Sequence, residues 1–139
     1  MPPRELAYIA LGSNLGDREE HLAAARAALD ALPHTRLIAQ SSVEETPPLG
    51  GMDQPPYLNQ MVLLETGLEP RALLLACQAI ERSRSRVRTE HWGPRTLDLD
   101  IVRYGHRRID DPDLIIPHPE LSRRDFWTRE LAELEAHDR

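Results

Sequence analysis

Trp92-Gly93-Pro94-Arg95-Thr96-Leu97-Asp98-Leu99-Asp100-Ile101-Val102 is the stretch on which the fold turns. Leu97, Leu99 and Ile101 alternate with Asp98 and Asp100, the period-two pattern of a strand with one buried face. Side chains at i and i+2 share a face and stand about 6.6 Å apart along the strand. Two carboxylates held in parallel at that spacing repel each other unless a cation lies between or beside them. An all-oxygen pair suits a hard ion such as Mg²⁺, which takes one or two carboxylates and leaves its other positions to water and substrate phosphate. Gly93-Pro94 marks a turn, so Arg95 sits on a loop entering the strand. A bare pair of this kind also fits an acidic strand face turned to solvent, so the neighbouring sequence decides.

Upstream, Arg82, Arg84, Arg86 and Arg88 precede Trp92, and Arg95 follows it. The chain carries 23 acidic and 17 basic residues, a net charge of −6, so this arginine cluster is a local anion site in an acidic protein. A solvated helix end accounts for part of it, since arginine suits a helix C-terminus. Beside the carboxylate pair, the cluster reads as the second half of a nucleotide site, with metal ligands on one side and oxyanion clamps on the other. The net charge argues against general nucleic-acid binding. Every basic residue is arginine, which excludes a Walker or Schiff-base lysine and leaves phosphate to arginine's planar fork.

Working outward toward the N-terminus, Leu6 to Leu11 reads as a buried first strand and Gly12-Ser13-Asn14-Leu15-Gly16 as a turn. Asp17 with Glu20 opens a helix in capping-box fashion, and Leu22, Ala25, Leu29 and Leu32 form its apolar stripe. The glycine turn lacks the spacing and lysine of a P-loop. Arg36 to Glu45 reads as a second strand. Thr46 to Pro56 holds four prolines and two glycines, which neither strand nor helix tolerates. It is a long irregular loop, of the kind that is often functional. Tyr57 to Thr66 is a third strand, with Tyr57, Asn59, Met61 and Leu63 on one face. Pro70 starts a second helix running to about Arg84, with Leu73, Cys77 and Ile80 inward. The Asp98/Asp100 strand then completes a split βαβ order. The expected fold is α+β: a ferredoxin-like α/β sandwich with a mainly antiparallel four-stranded core sheet, helices on one face and a hairpin extension. The extension is a turn at Gly105-His106 with a return strand near Arg107 to Ile109, and a last helix starts near Ser122.

At 139 residues, one domain over 1–139 is expected. Cys77 is the only cysteine, so there is no internal disulfide and no cysteine zinc site. Its place among Leu73, Leu74 and Ile80 marks it as helix core. Without a basic leader or a membrane-length apolar run, the chain is expected to be cytoplasmic, with no membrane partner. Among the six aromatics, Tyr57 and Phe126 follow loops, where a flat heterocycle can stack on them; core filling explains them as well. His118, in Ile116-Pro117-His118-Pro119, is held by a rigid extended segment.

Four blocks resemble the 6-hydroxymethyl-7,8-dihydropterin pyrophosphokinase family. They are Tyr8 to Gly16; Thr46 to Gly50 with Gln54 to Asn59; Arg86 to Arg88 with Trp92 to Ile101; and Pro117 to Pro119 with Arg124 to Phe126. The resemblance spans residues 8 to 126, in family order, and its third block is highly specific. It implies transfer of a diphosphate from ATP to the pterin alcohol in folate biosynthesis, with release of AMP. By the same resemblance Asp98 and Asp100 hold two Mg²⁺ ions, and Tyr57 and Phe126 sandwich the pterin ring. Thr46, Pro47, Leu49 and Asn59 line the pterin pocket. Glu81, Arg86, Arg88, Trp92, Arg95, Ile101, His118 and Arg124 surround ATP, with Arg86 and Arg95 acting with the aspartates in catalysis. A monomer without nucleic-acid partners is expected.

The chain departs from the family pattern at His91, where arginine is common, and at Ser85, where glycine is common. Trp127 to Leu131 lacks the family's apolar run and proline. Another two-metal phosphoryl or nucleotidyl enzyme would share the aspartates but gives no reason for Tyr57, Asn59 and Phe126. An RNA-binding sheet would need an aromatic-rich strand that is missing.

Overall fold

The computed structural model describes residues 4–47, 55–84 and 96–136. Strand β1 (Glu5–Ser13) lies at the centre of the main sheet. It is flanked by β4 (Tyr57–Thr66) on one side and β5 (Asp98–Tyr104) on the other. Two short strands, β2 (Thr35–Gln40) and β3 (Glu44–Thr46), share the far edge of β4. All pairings are antiparallel. Helix α1 (Arg18–Asp30) follows β1, and α2 (Pro70–Arg84) follows β4. This is the split βαβ order of the ferredoxin-like α+β sandwich. Asp17 caps α1 as its sequence predicts, accepting from the Glu20 N–H at 3.1 Å.

The second strand is broken where the sequence suggests continuity. At the break, the Ser41 N–H donates to the Met61 carbonyl at 2.9 Å, and the Ser41 hydroxyl accepts from the Met61 N–H at 2.9 Å. The Gln60 amide donates to the Ser41 carbonyl at 2.7 Å. Side chains thus take over part of the ladder's duties where the strand bends.

On one face, α1 and α2 press Leu22, Ala25, Leu29, Leu73, Cys77 and Ile80 onto Ile9, Leu11, Val62, Leu64, Leu97, Leu99 and Ile101. Each such leucine contributes about 1.5–3 kcal/mol by leaving water. The expectation of helices on one face holds for these two helices only. Helix α3 (Asp125–Glu135) lies on the other face, where Trp127, Leu131 and Leu134 pack on Tyr8, Ala10, Met61, Leu63 and Val102. This second layer explains why Met61, Val62, Leu63 and Leu64 are all 0% exposed, with no alternation. Helix α3 starts at Asp125 rather than Ser122.

The hairpin extension also forms later than expected. Strand β6 (Ile109–Asp111) pairs with β7 (Leu114–Ile116) as a separate two-stranded sheet. Arg107 is drawn away from strand pairing. Its N–H closes the turn onto the Tyr104 carbonyl at 2.9 Å, and its guanidinium lies 5.7 Å over the Tyr104 ring. Among the described residues no helix is long and apolar enough to cross a membrane.

Candidate active site

The sheet core under α3 ends at Ala10 and Met61. Asp100 stands beside Ala10 in the ladder, and beyond them come Gly12, Asn59, Tyr57 and Asp98. Because Leu97, Leu99 and Ile101 are committed to the α1/α2 core, strand alternation turns Asp98 and Asp100 to the α3 side. Both are half-buried. Glu81 on α2 reaches β5 between them, accepting from the Leu99 N–H at 2.7 Å. Its carboxylate so occupies a backbone donor on the strand that carries the aspartates.

His118 Nε2 lies 3.7 Å from Asp100 Oδ1. Its Nδ1 accepts from the Glu120 N–H at 3.1 Å, so the neutral ring carries its proton on Nε2, toward Asp100. The ring stands edge-on to Trp127, centroids 4.9 Å apart. Trp127 is a shared platform. Phe126 meets it edge-to-face at 6.4 Å, and the Arg124 guanidinium lies 4.5 Å over it. One buried indole therefore carries three of the residues that the resemblance assigns to the site.

Across β1 lies a second group. Asn59 donates to the Thr46 hydroxyl at 2.6 Å, and Thr46 pairs with Tyr57 in the ladder. A Cβ added at Gly12 would come within 3.3 Å of Asn59 Oδ1 and 3.6 Å of Tyr57 Cδ1. A side chain at this position would crowd that amide oxygen and the Tyr57 ring. Arg18 on α1 donates to the Pro56 carbonyl at 2.9 Å and pairs with Glu45 at 2.9 Å. Asn14 donates to the Pro55 carbonyl at 3.3 Å. The start of β4 and the end of β3 are thus tied to the glycine turn.

On the outer side of β5, Leu74, Ile101, Leu114, Asp100, His118 and Pro119 help line a cleft of about 230 Å³. Its outer wall is the β6–β7 hairpin. Arg71 at the start of α2 holds this wall through Asp113 (2.7 Å to each oxygen) and Asp111 (2.8 Å). The Arg71 hydrogen bond holds the Asp113 carboxyl below its usual range. Burial, aided by the charges of Glu81 and Asp100, pushes the Cys77 thiol up to about 12, so Cys77 is core and no nucleophile.

Of the residues expected at the site, the fold gathers Asp98, Asp100, His118, Arg124 and Phe126 on the α3 face, and Thr46, Tyr57 and Asn59 next to them. Ile101 is 4% exposed and lines the outer cleft. Pro47 is exposed, just past β3. Leu49, Arg86, Arg88, Trp92 and Arg95, with His91 and Ser85, lie outside the described residues. Sequence reasoning missed Gly12, Arg18, Arg71 and Trp127. Only Gly12 carried a signal, as the glycine ending an apolar strand.

A family model described as 7,8-dihydro-6-hydroxymethylpterin-pyrophosphokinase matches residues 8–136. Three relatives are named 2-amino-4-hydroxy-6-hydroxymethyldihydropteridine pyrophosphokinase. The Pseudomonas aeruginosa protein is 47% identical over 127 residues, 91% of this chain and 78% of the relative. The Haemophilus influenzae protein is 46% identical, covering 92% and 80%. The Bacillus subtilis protein is 44% identical, covering 93% and 77%. The chain therefore belongs to the 7,8-dihydro-6-hydroxymethylpterin-pyrophosphokinase family and is an ATP-dependent diphosphotransferase of folate biosynthesis, acting on hydroxymethyldihydropterin.

Proposed function

We propose that the pterin lies between Tyr57 and Phe126, that ATP lies along β5, and that Asp98 and Asp100 hold two Mg²⁺ ions on its phosphates. One observation carries this reading. Gly12 pairs with Asn59 on one side and with Asp98 on the other. The two half-sites are therefore neighbours across one strand, with backbones about 10 Å apart. The donor set fits Mg²⁺: two carboxylates from one strand face, with the remaining positions left to water and phosphate. When bound, Mg²⁺ would neutralise phosphate charge and orient the diphosphate.

The chain's own residues supply the rest. Thr46 and Asn59 read the polar edge of the pterin, with Pro47 and Leu49 beside it. Ile101 and the outer cleft take the adenine. Glu81, Arg88, Trp92, His118 and Arg124 surround the nucleotide, and Arg86 and Arg95 stabilise charge on the transferring group. Held in line, the pterin hydroxymethyl oxygen attacks the β-phosphorus and AMP leaves. No covalent enzyme intermediate is required. We infer further that 1–139 form one domain, acting as a cytoplasmic monomer without nucleic-acid or membrane partners; sedimentation of the purified protein tests the monomer.

The test of the pocket is calorimetry on Phe126→Ala. Stacking on one aromatic is worth about 1–3 kcal/mol, so pterin affinity should fall roughly five- to 150-fold. Affinity for MgATP should change little. Equal losses for both ligands would assign Phe126 to folding instead.

A further inference from the structure

Glu130 on α3 is 0% exposed. Neither of its carboxyl oxygens meets a hydrogen-bond donor among the described residues. Glu44 on β3 also has a buried oxygen, Oε2, without a donor, and the two carboxyl groups lie within hydrogen-bonding reach of each other. Two ionised carboxylates are acceptors only and cannot satisfy one another. Left so, they would combine like-charge repulsion with the desolvation of buried, unpaired charge. A single proton shared between them removes both costs, because it turns one group into a donor.

The surrounding charges decide which group carries it. Arg129 donates to Glu44 Oε1 through Nε and Nη2, at 3.1 and 2.9 Å. That favours negative charge on Glu44. Glu133 adds a further negative charge near Glu130. Its own oxygens accept from the Ser42 N–H at 3.0 Å and the Ser42 hydroxyl at 2.9 Å. Among the described residues, the charged groups that act on Glu130 are thus Glu44 from β3, and Glu133 and Arg129 from α3, with Arg129 engaged by Glu44.

We propose that Glu130 is a positioning residue: a neutral carboxylic acid in the folded protein, it donates its O–H to Glu44 and so fixes α3 against β3. The consequence reaches the site. Phe126 stands one helical turn before Glu130, and Thr46 stands two residues after Glu44. The bond between the two glutamates therefore sets the spacing of two walls of the pterin pocket. This functional half rests on the pocket proposed above; the protonation does not.

Burial, then the hydrogen bond and charge of Glu44, push the Glu130 carboxyl up to about 9, from an ordinary 4.5. Between those values the folded chain holds a proton that the unfolded chain has released. Stability therefore falls as pH rises through that window and levels off above it. A Glu130→Gln substitution keeps an N–H donor for Glu44 and removes the titration. Glu130→Leu keeps the bulk and removes the donor.

Three measurements decide the matter. Infrared spectra at pH 7 in D₂O should contain a protonated-carboxyl stretch that is lost in Glu130→Gln. The melting temperature of wild type should fall relative to that of Glu130→Gln from pH 5 to pH 9. Absence of the band, or parallel melting profiles, overturns the protonated acid, and both readouts survive even if Glu130→Leu fails to fold. For positioning, Glu130→Leu should bind pterin at least fivefold more weakly, with MgATP affinity kept and Glu130→Gln close to wild type. If Phe126→Ala weakens pterin binding and Glu130→Leu does not, the positioning role fails alone. If Phe126→Ala has no effect either, the pocket reading has failed.

Discussion

Asp100 is the residue where the site is densest. Its side chain is 39% exposed and faces His118 Nε2 at 3.7 Å. Its ladder partner is Ala10, at the end of the core under α3. Removing its carboxylate opens no core cavity, and substitutions of this kind usually change stability by no more than about 0.5 kcal/mol. Losing a group that stabilises charge at the reacting centre costs about a hundred- to a thousandfold in rate. Asp100→Ala should therefore melt like wild type while AMP release from ATP and the pterin alcohol drops at least about a hundredfold. A folded variant with near wild-type AMP release would overturn the proposed metal-binding role of Asp100. The Asp98/Asp100 pair was legible because period two reads directly from sequence. What Gly12 does was not, since its meaning lies in Asn59 and Tyr57, forty-odd residues away in the chain, coming within 3.6 Å of where a Cβ would stand.

Among the elements, the same contrast holds between local and long-range causes. Strand β5, the Asp17 cap and the inner face of α2 follow from local pattern, and each forms where the sequence puts it. The break between β2 and β3 depends on Ser41 meeting Met61, twenty residues on. The side chosen by α3 depends on which sheet face α1 and α2 leave bare. Leu131 and Leu134 mark a helix with an apolar face but do not say where it docks. The hairpin β6–β7 is another such case, because its position rests on Arg71 of α2, 40 and 42 residues before Asp111 and Asp113. If that hairpin walls the nucleotide cleft, Arg71→Ala should loosen it without disturbing the core. MgATP affinity should fall several-fold, with pterin affinity unchanged and amide exchange accelerated in 109–116. An unchanged MgATP affinity alongside faster exchange would show that the hairpin is not part of the nucleotide site.

At the scale of the whole molecule, the glycine turn and the end of α2 meet at His21. Its Nδ1 accepts from Arg84 Nε at 3.1 Å, while Arg84 Nη2 holds Glu20 at 2.8 Å. Gly16, with φ of 74°, brings the turn so close that a Cβ there would lie 3.3 Å from His21 Nε2. Arg84 is the last residue of α2, and the chain runs on from it toward Arg86, Arg88 and Arg95. A protonated imidazole has no acceptor for Arg84. Burial and the charge of Arg84 accordingly hold the His21 pKa below 6.5, with Glu20 and Asp17 pulling the other way. Because the folded value is the lower one, the unfolded chain takes up the proton first. The contribution of His21 to stability is complete above about pH 6.5 and is lost as pH falls through the folded value. Glutamine at this position offers an amide oxygen to Arg84 and does not titrate. The melting temperature of wild type should therefore drop relative to that of His21→Gln as pH is lowered from 7 to 5, with the two profiles running parallel above 7. Any alkaline trend from Glu130 is common to both proteins and cancels in the difference. Parallel profiles down to pH 5 would mean that His21 binds its proton equally in both states, and the contact with Arg84 would then have no role in joining the turn to the end of α2.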